Sequence, residues 1–283
     1  MATFFNQATL SYNGNVTNSN ITTGEILEAL SAVKTPVDDE YWFNEENTYV
    51  ISITNSGTAS YTNLTLTDDL GEYSFGTGTL VPLTYVENSV LYYVNGVLQP
   101  APAVTAGNEL TISGINVPAG GNAIILYAVT ANGYAPLDGN SSITNTVTIS
   151  GCSMSVTAEA TVTARNDVML SVSKSLSPAT VVENERITYT ITVQNYGNTP
   201  VVATDDAIIT DNFDPVLSNL VVTFNGTQWK EGVNYTYNAS TGAFSTNPAQ
   251  ITVPAAEYSQ NMSGEWVIQP GVSTLVISGN INA

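Results

Sequence analysis

The sequence predicts an all-β protein: two tandem antiparallel sandwiches preceded by a permuted N-terminal hairpin. Two observations carry the class. Short stretches rich in Val, Ile, Thr and Tyr alternate apolar and polar with period two, punctuated by Gly, Asn and Pro. The same series of stretches then occurs twice along the 283 residues. A third observation predicts the hairpin: the first 23 residues resemble neither a leader nor a tail, but a strand pair from the middle of the chain.

The first repeat opens with "TGEILEALSAV" at 23–33, read as mainly extended although it has enough helix formers for a turn or two. "LSAVKTP" at 30–36 matches "LSVSKSLSP" at 170–178, and "TYVISITNSGT" at 48–58 matches "TYTITVQNYGNT" at 188–199. "LTLTDDL" at 64–70 pairs with "AIITDNF" at 207–213, "YVNG" at 93–96 with "TFNG" at 223–226, and "INVPAG" at 115–120 with "ITVPAA" at 251–256. The offset drifts from 140 residues at Lys34 and Lys174 to 143 at Asp68 and Asp211, as loop insertions produce. "TARNDVML" at 163–170 marks the junction. The domains read as 24–164, a complete sandwich, and 165–283, a sandwich lacking its last strand or hairpin.

The missing hairpin is the informative element. The first repeat continues into "SSITNTVTISGCSMSVTAEATVTA", a hairpin turning near Gly151 and Cys152, whereas the second ends in "TLVISGNINA". Residues 5–23, "FNQATLSYNGNVTNSNITT", copy that hairpin: Asn6 precedes Asn145 by 139 residues, the repeat period again. Asn6, Ala8, Leu10 and Tyr12 share one face of this donor segment (residues 1–23). An open sandwich exposes apolar side chains and unpaired backbone groups, and added strands cover both. With a whole domain between donor and acceptor, entry into the next subunit is expected, and a head-to-tail contact that does not close gives a filament. The alternative is an N-terminus that pairs at a domain junction.

Composition restricts the partners. Hydrophobic residues make up 43 %, enough for real cores, but only 10 % are charged, with 24 acidic residues against 5 basic ones and a net charge of −19. Nucleic acid and anionic lipid need clusters of Lys and Arg, so neither is expected. No apolar run has the length of a membrane helix. The start, "MATFFNQATL", lacks the pattern of a secretory signal, so a mature processed chain or another route to its destination is expected. The chain itself is the expected partner, in a head-to-tail homopolymer, with an anchoring protein on the cell or spore surface as a further one.

"TYTITVQNYGNTPVVATDDAIITD" and "SITNTVTIS", together with the lysine of the first strand, resemble the bacterial conserved repeat called domain of unknown function 11, over both repeats. The resemblance implies immunoglobulin-like sandwiches in cell-surface and extracellular proteins. A two-repeat chain of this size also resembles the appendage proteins of anaerobic spore-forming bacteria, implying an extracellular or spore-surface location.

The candidate chemistry lies in core-facing polar residues. Of three lysines, Lys34 and Lys174 occupy equivalent positions on the apolar parity of their strands. Asp68 falls in line with Leu64, Leu66 and Leu70; Asp211 with Ile209 and Phe213; Asn145 with Ile143, Val147 and Ile149. Lys34, Asp68 and Asn145 thus form one set, and Lys174, Asp211 and the donor's Asn6 a second, split between subunits. Burial favours a neutral amine beside a protonated acid, the condition for the amine to attack an Asn carboxamide and form an isopeptide bond. A buried ion pair with a backbone-bonded Asn fits the same pattern.

No other constellation competes. Without histidine, Ser–His–Asp, Cys–His and His–metal sites are absent, so the chain is not read as an enzyme beyond autocatalytic bond formation. Asp38–Asp39, Glu45–Glu46 and Asp205–Asp206 lack the loop spacing of a calcium site and read as solvated surface; no metal or cofactor is expected. A single cysteine, Cys152, excludes an intrachain disulfide. The rival function is a monomeric adhesion or carbohydrate-binding module, which exposed platforms at Trp42, Trp229 and Trp266 would favour.

Overall fold

The computed structural model describes residues 2–26 and 29–281. It is all-β, with antiparallel sandwich sheets and, among the described residues, one short 3₁₀ turn at Ala203–Asp205. The segment 23–33 is extended as its pattern suggests, apart from Leu27 and Glu28, which lie outside the described residues. Two compact units divide the chain: residues 1–39, 44–132 and 143–162 form the first, and 40–43, 133–142 and 163–283 the second.

The first unit begins with a ribbon of four strands, β1 (Ala2–Asn6), β2 (Thr9–Tyr12), β3 (Asn15–Asn18) and β4 (Thr22–Ile26). β1 pairs β4 and β2 pairs β3. The register slips by one residue between Asn6↔Thr22 and Thr9↔Asn18, so the return arm carries a bulge near Ser19. The hairpin is longer than the 5–23 segment that the sequence marks. Its turn, Asn13–Gly14, has φ of 46° and 82°, positive at both positions as a two-residue type I′ turn requires. Phe4 folds over Gly24, where a Cβ would stand 2.3 Å from the ring. Phe4, Phe5, Leu10, Tyr12, Val16 and Ile21 are all more than half exposed.

The sandwich of this unit follows. β5 (Leu30–Pro36), β6 (Glu46–Asn55), β7 (Tyr61–Asp68), β8 (Leu91–Val94), β9 (Val97–Leu98), β10 (Ala103–Ala106), β11 (Leu110–Val117) and β12 (Asn122–Ala131) precede a closing hairpin. That hairpin is β13 (Ser142–Gly151) and β14 (Met154–Ala164). One sheet runs β9-β8-β12-β6-β5; the other runs β10-β11-β7-β13-β14. Alternation places Tyr49, Ile51 and Ile53 of β6 against Leu64 and Leu66 of β7 and Val147 and Ile149 of β13, all fully buried. Burying one such aliphatic side chain stabilises by roughly 1.5–3 kcal/mol.

The second unit repeats the first sheet strand for strand: β15 (Leu170–Ser177), β16 (Arg186–Asn195), β18 (Leu217–Phe224), β19 (Thr227–Gln228) and β22 (Gly271–Ile281), in the order β15-β16-β22-β18-β19. The repeat is visible in single residues. Asn55 and Asn195 are both fully buried and tie down equivalent loops: Asn55 donates to the carbonyls of Ala59, Pro118 and, at 3.3 Å, Val117, and Asn195 to those of Thr199 and Pro254. The second sheet is different. It holds β17 (Thr210–Asn212), β20 (Tyr235–Tyr237) and β21 (Ala243–Thr246) in the order β17-β21-β20. β7 has β11 on one side and β13 on the other, whereas β17, its counterpart, pairs only β21. Among the described residues nothing corresponding to β13 and β14 lies beside it.

Candidate functional site

In the first unit the sequence-marked trio is brought into one closed pocket. Lys34 points inward from β5 because Leu30, Ala32 and Lys34 share a parity; Asp68 does so from the end of β7, and Asn145 from β13. Lys34 is 4 % exposed, Asp68 1 % and Asn145 0 %. Lys34 Nζ donates to Asp68 Oδ2 at 2.6 Å, and the Tyr127 hydroxyl donates to the same oxygen at 2.5 Å. The Leu70 amide donates to Asp68 Oδ1 at 3.1 Å. Asn145 is held loosely: its Nδ2 donates to the Tyr127 hydroxyl at 3.5 Å, and its Oδ1 is buried with no hydrogen-bond partner. The trio is thus a direct Lys–Asp pair with a carboxamide alongside it, in the same tyrosine frame rather than bonded to either charge.

Two tyrosines build that frame, and neither is marked by the sequence pattern. Tyr49 of β6 and Tyr127 of β12 are cross-strand partners whose rings stack 5.8 Å apart. Lys34 Nζ lies 4.8 Å from the first ring centroid and 6.0 Å from the second. Burial dominates the protonation of every group here. It pushes the Lys34 amine down despite the neighbouring carboxylate, pushes the Asp68 carboxyl up despite the lysine, and raises the Tyr127 hydroxyl well above its ordinary value. The pocket therefore favours sharing one proton between amine and acid over two full charges.

The second unit holds two members of the set in an open version of the same geometry. Lys174 Nζ donates to Asp211 Oδ2 at 2.5 Å and lies 4.4 Å from the Tyr189 ring and 5.4 Å from the Phe213 ring. Tyr189 is the counterpart of Tyr49. The partner of Tyr49 across the sheet is Tyr127, but the partner of Tyr189 is Ile277. Asp211 thus lacks the tyrosine donor that Asp68 has. The pair is also solvated: 40 % of the Lys174 side chain and 15 % of the Asp211 side chain are exposed, against 0 % and 1 % in the first unit. Its strand is stripped along the same face. Leu170 is 48 % exposed where Leu30 is 4 %, and Val172 and Leu176 are open beside it.

Lys174 keeps the inward parity read from its strand but is open to water. The parity is right, but the strands that would cover it are absent from the described part of this unit. A cleft of about 800 Å³ opens along β17, lined by Thr210, Asp211, Tyr237 and Phe244 among others. Asn6, the third member of the second set, lies on the free hairpin. It is exposed, and its strand pairs only with β4.

The hairpin and the closing hairpin of the first unit share a design. β13 and β14 turn at Cys152–Ser153, with φ of 50° and 61°, again positive at both positions. Asn13 and Gly14 precede these two residues by the same 139 positions that separate Asn6 from Asn145. On β13, Ile143, Asn145, Val147 and Ile149 are buried, and the matching residues of the free hairpin are Phe4, Asn6, Ala8 and Leu10. Tyr12 matches Gly151, at the turn.

The remaining candidates behave as surface or packing. Cys152 is exposed. Trp42, Trp229 and Trp266 are half-buried rather than displayed as platforms, and Trp229 stacks on Phe224 at 4.9 Å. Among the described residues no helix is long and apolar enough to cross a membrane.

No family model matches the chain, and no curated protein does. Solved structures do resemble it. The pilus backbone RrgB from Streptococcus pneumoniae aligns at 11 % identity and a TM-score of 0.34, over 85 % of this chain and 55 % of that one. The major pilin subunit BcpA of Bacillus cereus aligns at 9 % identity and a TM-score of 0.36, over 95 % of this chain and 73 % of that one. The collagen adhesin CNA from S. aureus aligns at 13 % identity and a TM-score of 0.29, over 54 % and 55 % of the two chains. This chain spans about half the length of the RrgB chain that it matches.

Proposed function

We propose that this protein is a structural subunit that assembles head to tail into fibres on an extracellular or spore surface. Each subunit gives its N-terminal hairpin to the open sheet of the next subunit's second unit. One observation carries this reading. The free hairpin reproduces the closing hairpin of the first unit in turn type, in spacing and in the pattern of its inward face, while the matching sheet in the second unit has an unpaired edge. An isolated two-stranded hairpin with apolar side chains in water is marginal on its own, and so is an open sandwich edge; joining them relieves both.

The register follows from the first unit. There Val147 lies opposite Asp68 and Ile149 opposite Leu66. In the junction Ala8 lies opposite Asp211 and Leu10 opposite Ile209, with Phe4 and Asn6 continuing along the groove over β15. Because the hairpin belongs to one unit and the groove to the other, the contact is heterologous and propagates into a filament. Within the first unit, the loosely held Asn145 carboxamide beside the Lys34–Asp68 pair suits an amide bond that staples β5 to β13. The sequence resemblance to repeats of spore appendages fits the same role, with an anchoring protein at the fibre base.

Deleting residues 1–26 tests the assembly. The truncated chain is expected to keep both sandwiches by circular dichroism and to stay monomeric in sedimentation, while the full chain forms fibres visible by electron microscopy. A peptide of residues 2–26 is expected to cap growing ends. Fibres of normal length from the truncated chain would refute hairpin donation.

A further inference from the structure

The Lys174–Asp211 pair is half of a site. Its closed counterpart contains a lysine, an aspartate and an asparagine sealed by a hairpin, and the second unit has the first two, the aromatic floor and no cover. The free hairpin carries an asparagine, Asn6, at the position equivalent to Asn145. We propose that inserting the hairpin of a neighbouring copy brings Asn6 against Lys174 and Asp211, and that an amide bond forms there between subunits in the assembled fibre only. This rests on the hairpin donation proposed above.

The step balances without any added reagent. Lys174 Nζ, as the free amine, attacks Asn6 Cγ, and the new Nζ–Cγ bond replaces the Cγ–Nδ2 bond. One Nζ proton passes through the Asp211 carboxyl to Nδ2, which leaves as ammonia. Each junction therefore loses the mass of one ammonia. Holding amine, acid and carboxamide together supplies the proximity that separate chains lack.

Two features make the bond depend on assembly. In the free subunit 40 % of the Lys174 side chain and 15 % of the Asp211 side chain are open to water, and no carboxamide lies beside the pair. In the covered first unit, burial drives the lysine down and the aspartate up, toward the neutral amine and protonated acid that the reaction needs. Insertion of Phe4, Asn6, Ala8 and Leu10 imposes that same burial on the open pair. Ile277 reinforces it: where Tyr127 donates a hydrogen bond that helps hold Asp68 as a carboxylate, Ile277 offers none to Asp211.

The test uses full-length chains. Wild-type fibres, washed free of monomer and boiled in detergent, are expected to run as a ladder of multimers. Proteolysis is expected to release a branched peptide joining the segment containing Asn6 to the one containing Lys174, one ammonia lighter than the two together. Unassembled monomer is expected to show Asn6 and Lys174 unlinked. Asn6→Ala and Lys174→Ala chains are expected to form fibres by electron microscopy, because the strand and its apolar face remain, and those fibres are expected to boil to monomer. Wild-type fibres that dissolve fully to monomer, or junction peptides with Asn6 intact, would overturn the bond while leaving strand donation standing. Absence of fibres from the wild-type chain would overturn the donation itself and the bond with it.

Discussion

Leu10 offers a quantitative test of the junction, because its two neighbouring environments differ so much. In the free hairpin it is 64 % exposed; Ile149, its counterpart in the first unit, is 0 % exposed. Insertion thus removes about two thirds of a leucine side chain from water. Full burial of such a side chain is worth roughly 1.5–3 kcal/mol, so Leu10→Ala is expected to weaken each junction by about 1–2 kcal/mol before any cavity term is added. That corresponds to a roughly 5–30-fold rise in the critical concentration for polymerisation. Phe5 is the control. It is larger and 68 % exposed, but it matches Thr144, which stays exposed on the outer face of β13. Phe5→Ala is expected to leave the critical concentration within a factor of about two, as surface substitutions do. The assay is sedimentation of polymer across a concentration series, with the Asn6→Ala background removing any covalent locking. Equal effects at the two positions, or a larger one at Phe5, would refute the register and the parity argument behind it.

Other expectations concern the first unit. If Lys34 reacts with Asn145, the intact mass of the freshly folded monomer falls by one ammonia, and Lys34→Ala or Asp68→Ala restores it; an unchanged wild-type mass leaves the trio as an ion pair. Replacing Asn55 with Ala removes a buried amide that donates to the Ala59, Val117 and Pro118 carbonyls and is expected to cost about 2–4 kcal/mol in chemical denaturation, since those acceptors lose their donor. A Lys34→Met variant isolates Asp68 in its apolar pocket. Burial holds that carboxyl above its ordinary value in the folded state, so its contribution is fully present below the unfolded value and is lost as pH rises through the folded one. Stability of this variant is expected to fall by up to about 1.4 kcal/mol per pH unit above the ordinary carboxyl range. The wild-type domain is expected to be flat near neutrality, because passing a proton from Lys34 to Asp68 changes no proton count.

What the sequence made legible was periodic. Alternation alone placed Lys34, Asp68 and Asn145 on inward faces, and duplication alone related the N-terminal hairpin to β13 and β14. What it hid depends on register. Tyr49 and Tyr127 sit on apolar parity and read as ordinary core; they become the frame of a site only because β6 and β12 set them opposite each other. The same register shift of identity puts Ile277 where a second tyrosine would stand, and no local pattern marks it. Lys174 shows the limit of parity, which says which way a side chain points, whereas covering strands decide whether water reaches it.

The turn of the free hairpin has one more consequence, and it is kinetic. Cys152 and Ser153 adopt positive φ at a cost that the surrounding sandwich absorbs, whereas the ribbon at the N-terminus has no such support and uses Asn13–Gly14, a pair suited to that geometry. A ligand that is already shaped loses less freedom on capture, so the turn governs how often an encounter succeeds. Once seated, the hairpin is held by its long arms and not by the two residues at its tip. A Gly14→Ala chain, strained at a φ of 82°, should elongate fibres slowly and yet build fibres as durable as the wild type. In the proposed fibre, speed of growth and strength of the finished filament are then set at opposite ends of one ribbon, so that a variant at Gly14 is expected to change the first and one at Asn6 the second.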